Sequence, residues 1–214
     1  MNAPPSVDPA NDDSVLGTLN TVLQKFLQGI DDMLPARVVS YDRVANRATV
    51  MPVVSIVTTD GAQVGRATVS QLPVFQFGGG GVALSFNLKP GDLGWIKAND
   101  RDISLFLQSY GTGGPNTFRK HSFEDAMFFP DAMRDIVIAG EDEESATLQS
   151  LDGTVKVSVG ADTLILQAGS AKIVMGPAGF DYTGPGFSIN GIPFGTHRHG
   201  DVTTGTDISG VPIP

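Results

Sequence analysis

Residues 153–190 read GTVKVSVGADTLILQAGSAKIVMGPAGFDYTGPGFSIN, and their spacing decides the fold. Apolar residues alternate in short bursts: Val155, Val157 and Val159, then Leu164 and Leu166, Ile173 and Met175, Phe180 and Tyr182, Phe187 and Ile189. Alternation at a period of two marks a strand with one buried face. The bursts begin at 155, 164, 173, 180 and 187, steps of 9, 9, 7 and 7, with turn residues between them. This is a repeat of short rungs rather than a sandwich of two sheets. Each rung offers two or three apolar side chains on one face, too few for a single chain to enclose a core. Three copies wound about a common axis solve the problem. Each supplies one wall, the inward residues stack into an apolar column, and hydrogen bonding around the axis leaves no free edge. The repeat therefore predicts an intertwined triple-stranded β-helix in a homotrimer. A monomeric β-helix is the alternative, but it needs longer coils and more of them.

Upstream, the texture is different. Residues 1–13 read as an acidic, proline-rich tail, and Ser14 caps a predicted helix running to about Leu34. Its apolar residues, from Val15 and Leu16 to Met33 and Leu34, fall at steps of three and four, and Pro35 ends it. Such a stripe docks on its own domain or on a neighbouring copy. A membrane-surface helix would need many basic residues, and this one offers Lys25 alone against Asp31 and Asp32. From 36 to 136 the chain alternates in five or six short strands with turns at Arg43–Asn46 and Pro90-Gly91. With no long helix between them, they predict a small Greek-key barrel of the OB kind, with Trp95 and Phe106 at core positions. RDISLFLQ (101–108) reads as either a short helix or a last strand. The predicted organisation is a tail and amphipathic helix at 1–35, a barrel at 36–136, a β-helical shaft at 137–192, and a tip with a C-terminal tail at 193–214.

Composition excludes several functions. The 214 residues contain no cysteine, which rules out disulfides, thiolate metal sites and cysteine catalysis. The net charge of −9 divides as −4 over residues 1–34, +1 over 35–136 and −6 over 137–214. No segment is basic enough to neutralise a phosphate backbone, which argues against nucleic acid as a partner. The N-terminal residues lack the basic start and apolar core of a signal peptide, and no run of about 18 apolar residues predicts a membrane span. Gly78–Gly81 lacks the Lys-Ser/Thr of a phosphate loop and leads into a strand, so it reads as a flexible or tightly turning loop. Glu141–Glu144 lacks calcium-loop spacing and reads as a solvated junction. His121 reads as a surface-loop histidine, and Asp152, Asp162 and Asp181 as solvated turn positions.

Two of the three histidines stand one residue apart in GTHRHGD (195–201). In an extended strand His197 and His199 point to the same face. In one chain this is a weak metal signal. Under threefold symmetry it becomes six imidazoles around a point on the axis, a closed octahedral shell that suits iron or nickel better than tetrahedral zinc. With no open position, such an ion is structural rather than catalytic.

Taken together, LPARVVSYDRVANRATVMPVV, LPVFQFGGGGVALSFNLKPGDLGWIKANDRDI and HSFEDAMFFPDA resemble the N-terminal OB domain of the membrane-puncturing spike proteins of contractile-tailed phages. The later repeats ending in THRHGD resemble the spike shaft and its HxH tip. The resemblance implies a virion protein, made in the host cytoplasm: a homotrimer at the distal tip of the tail baseplate. Its OB domains would attach to the tail-tube hub. His197 and His199 from three chains would hold one iron ion at the apex. No residue would be catalytic, and the spike would meet the outer membrane only in piercing it as the tail contracts. The alternative is a trimeric β-helical tailspike that binds or cleaves surface polysaccharide, which would need paired carboxylates in a cleft. The tail DVTTGTDISGVPIP departs from the family pattern.

Overall fold

The computed structural model describes residues 14–58 and 61–195, which are mainly β and divide into two compact units at Met133/Arg134. The first unit opens with helix α1 (Val15–Gln28). The Ser14 hydroxyl accepts the Gly17 N–H at 2.9 Å, satisfying a donor that the first turn leaves unpaired. The helix ends six residues earlier than the stripe predicts, because Gly29 follows and Asp31 already bonds elsewhere, its N–H donating to the His121 carbonyl. Met33 and Leu34 begin a strand instead, opposite Lys97 and Ile96.

Among the described residues of this unit, nine strands follow: β1 (Met33–Asp42), β2 (Arg47–Pro52), β3 (Ile56–Val57), β4 (Gln63–Val64), β5 (Val69–Pro73), β6 (Phe77–Gly79), β7 (Val82–Leu84), β8 (Leu93–Asn99) and β9 (Ser122–Pro130). Five of them form one antiparallel sheet in the order β5-β2-β1-β8-β9. Its ends curl toward each other. Val74 makes a parallel bridge to Phe128, the Phe75 N–H donates to the Phe128 carbonyl at 2.8 Å, and the Phe75 and Phe129 rings stack at 4.9 Å. The result is a nearly closed five-stranded barrel.

Alternation explains its core. Ala36 and Val38, Ala48 and Val50, Leu72, Ile96 and Ala98, and Ala126 and Phe128 point inward and are buried. The parity of β8 sends Ile96 inward and Trp95 to the half-exposed face, where its Nε1–H donates to Asp131 at 2.8 Å. Phe106 sits half-exposed on helix α2 (Ser104–Ser109), so neither aromatic is the core residue the sequence suggests. Gly94 is required by close approach: a Cβ there would lie 2.4 Å from the Phe128 ring and 2.4 Å from the Phe129 carbonyl. Of the glycine run, Gly80 and Gly81 form the two-residue turn between β6 and β7, both at positive φ, as that hairpin type demands.

The second unit is a five-stranded antiparallel meander: β10 (Ala146–Gln149), β11 (Val155–Val159), β12 (Leu164–Ala168), β13 (Ala171–Gly176) and β14 (Gly179–Thr183), each strand pairing with the next. A small hairpin, β15 (Ser188–Ile189) with β16 (Ile192–Pro193), follows. The predicted rungs appear as β11 to β15, preceded by one more strand, β10, that the repeat count omits. Within one chain β10 to β14 form one sheet, and β15 pairs with β16 apart from it.

Candidate functional site

The distinctive surface of the second unit follows from its register. Leu148, Val157, Leu166, Ile173 and Tyr182 stand side by side across all five strands. Ala146, Val159, Leu164, Met175 and Phe180 form a second row, and Val155, Ala168 and Ala171 a third. Since side chains alternate across a sheet, these rows share one face, and it is apolar throughout apart from the Tyr182 hydroxyl, which donates to the Gly186 carbonyl. A depression of about 490 Å³ centres on the first row. The face is open: Leu148 is 51 % exposed, Val155 and Val159 53 %, and Phe180 58 %.

The opposite face carries Thr147, Ser158, Ile165, Val174 and Asp181, and Gln149, Lys156, Gln167, Lys172 and Thr183. Here the usual order is inverted. Lys156 and Ser158 are buried while their strand neighbours Val155, Val157 and Val159 are exposed. What covers this face is the segment before β10. The Val137 N–H donates to the Leu151 carbonyl, Gln149 Nε2–H to the Val137 carbonyl at 2.7 Å, and Gly140–Asp142 make a single 3-10 turn. Glu141 and Asp142 point down from that turn. Lys156 Nζ donates to Glu141 at 2.7 Å and also to Asp142, and Lys172 Nζ reaches the other Glu141 oxygen.

The electrostatics follow from this packing. Hydrogen bonds from Lys156, and for Glu141 also from Lys172, hold both carboxyls below their ordinary range. Burial pulls the Lys156 ammonium down, but hydrogen bonds to Asp142 and Glu141 more than reverse it, leaving its proton held more tightly than usual. Half of the acidic run is therefore a clasp rather than a solvated junction, with Asp142 only 1 % exposed. Glu143 and Glu144 remain in solvent. The signal for this in the sequence is Lys156 itself, a charge in the middle of an apolar strand.

The other candidates separate. His121 lies in the first unit with Nε2 3.2 Å from Asp100. Asp152 stays at its turn, accepting from Ser150 and Thr154. His197 and His199 lie outside the described residues, as does the tail after them. Among the described residues, no group of His, Asp and Glu has the geometry to hold a metal ion, and no helix is long and apolar enough to cross a membrane.

The second unit thus pairs an exposed apolar face with an opposite face covered by its own residues 137–145, and it follows the barrel in sequence. No curated protein matches the chain. Residues 34–131, the barrel from β1 to β9, match the family described as Phage protein Gp138 N-terminal domain, and this similarity supports a phage structural role at the baseplate or spike.

Proposed function

We propose that this chain is the central spike of a contractile phage tail, a homotrimer that attaches to the tail-tube hub through an OB-type barrel and pierces the host outer membrane when the tail contracts. The observation that carries the reading is the outward apolar face of the β10–β14 sheet. Apolar surface on this scale is what a monomer avoids and an interface uses. Three such faces turned toward one axis bury the three rows against each other, leaving the acidic clasp and Glu143 and Glu144 outside. The phage-domain match over the barrel supplies the context.

Piercing fits the same parts. Force carried along a thin rod favours chains that interlock, since their separation requires many backbone hydrogen bonds to break together. At the tip, His197 and His199 offer only imidazole donors, a set that suits iron or nickel, and three chains would complete a structural site of six ligands. No residue has a catalytic role in this reading.

Light scattering on the untagged protein at micromolar concentration should give the mass of three chains. Elemental analysis should find one metal ion per three chains, lost from the His197→Ala/His199→Ala variant. A monomeric mass would overturn the spike reading. A metal-free trimer would overturn the tip site alone.

A further inference from the structure

The trimer reading leaves α1 unexplained. We propose that the three copies of α1 in that trimer pack against one another as a short parallel helical cluster, so the helix is covered by other copies of this chain. The inference rests on the trimeric reading and adds a second interface to it.

Gly17 is buried and Thr21 half-buried, but the apolar face of α1 is built for burial and is not buried. Leu16, Leu19, Leu23 and Phe26 follow steps of 3, 4 and 3, with Val15 and Val22 on one flank and Leu27 on the other. At the α-helical repeat these residues fill one unbroken arc of about 140°. The barrel does not cover it: every one of the seven is more than half exposed. A 14-residue helix is marginal in water without tertiary cover.

The remaining positions narrow the choice of occupant. Thr18, Asn20, Thr21 and Gln24 are neutral, and Lys25 is the single charge in the helix. An anionic membrane surface would call for several basic residues, and a partner chosen by charge would need charges to read. Three identical helices need neither, and one lysine per helix repels little. The width of the arc points the same way. A two-stranded coil uses a narrow seam, whereas a helix with two neighbours must be apolar toward both. Threefold symmetry sets the three helices at one height with the same tilt, so copies that run along the axis are parallel and in register. Fewer than three heptads do not hold three free chains together. Once the sheets have joined, however, the helices meet at an effective concentration of order millimolar.

The chain has no cysteine, so single thiols report cleanly. Leu19→Cys lies near the middle of the arc and Thr21→Cys opposite it; Leu23→Cys is a second apolar-face probe should Leu19→Cys disturb packing. In the full-length protein, diamide oxidation at submicromolar concentration should link Leu19→Cys or Leu23→Cys into two-chain species at least tenfold faster than Thr21→Cys. The mass should stay at three chains throughout. A trimer whose apolar-face thiols react freely with maleimide and do not cross-link would leave α1 open to another partner and overturn the inference while sparing the trimer. Thiols that are protected but not cross-linked would mean docking on their own chain and would overturn it equally, as would equal rates at positions 19 and 21. A monomeric mass would remove both readings.

Discussion

Replacing Lys156 by Met tests the clasp directly. The Lys156 side chain is 2 % exposed and that of Asp142 is fully buried, whereas Glu141 is 41 % exposed and keeps Lys172 as a partner. The variant therefore strands one fully buried carboxylate, Asp142, and leaves Glu141 largely satisfied. Removing one member of a buried pair costs about 3–5 kcal/mol, and the partial rescue of Glu141 argues for the lower end, about 3 kcal/mol. In the double variant Lys156→Met/Asp142→Leu no charge is stranded, and stability should return to within about 1 kcal/mol of the parent or exceed it. The acid limb gives a second reading. In the parent, Glu141 and Asp142 have lowered folded pKa values, so their contribution is complete above about pH 5 and is lost as pH falls through those values. Lys156 has a raised folded value, so its contribution is complete below about pH 10 and is lost only at higher pH. Without Lys156, burial raises the Asp142 value, and this site should gain stability on acidification from about pH 7 to pH 4. Urea unfolding at fixed chain concentration, followed by circular dichroism, measures both effects. Trp95, the only tryptophan, reports the barrel, so an unshifted fluorescence transition places the loss in the second unit. A Lys156→Met protein within about 1 kcal/mol of the parent, with the same acid limb, would refute this account of the clasp.

Two further outcomes are expected. Gly94→Ala places a methyl group against the Phe128 ring and the immovable Phe129 carbonyl, and should destabilise the barrel by about 1–3 kcal/mol in Trp95-monitored unfolding. Leu166→Asp puts a charge at the centre of the first apolar row; light scattering should show single chains, with the Trp95 transition of the barrel unchanged.

Strand parity is the most legible feature. The alternation of Val155, Val157 and Val159 fixes which residues share a face, and the register confirms that sharing. What alternation does not say is which face looks outward. That depends on residues 137–145 folding back over Lys156, a contact made across about 15 positions that no local pattern records. The end of α1 departs from its sequence pattern for a related reason: Met33 and Leu34 continue the helical spacing, yet pairing with Lys97 and Ile96 claims them for β1. Trp95 shows the limit from the other side. Its size suggests a core, but β8 has one inward parity and Ile96 occupies it. Of the candidate site, the apolar wall is readable in the repeat, while the histidine pair belongs to residues outside the described ones.

Under the proposed trimer, the inverted sheet also bears on the life of the chain before assembly. In that reading, a newly made chain that has folded its clasp has finished the side that would face water and left unfinished the side that would not. Its wettable cladding is complete while its greasiest rows and the edges of β10 and β14 are still on offer to any passing strand. Such a chain has a short safe lifetime, set by how soon it meets its own kind. Yield should therefore fall when synthesis is slow and sparse as well as when heat or crowding lets strangers arrive first.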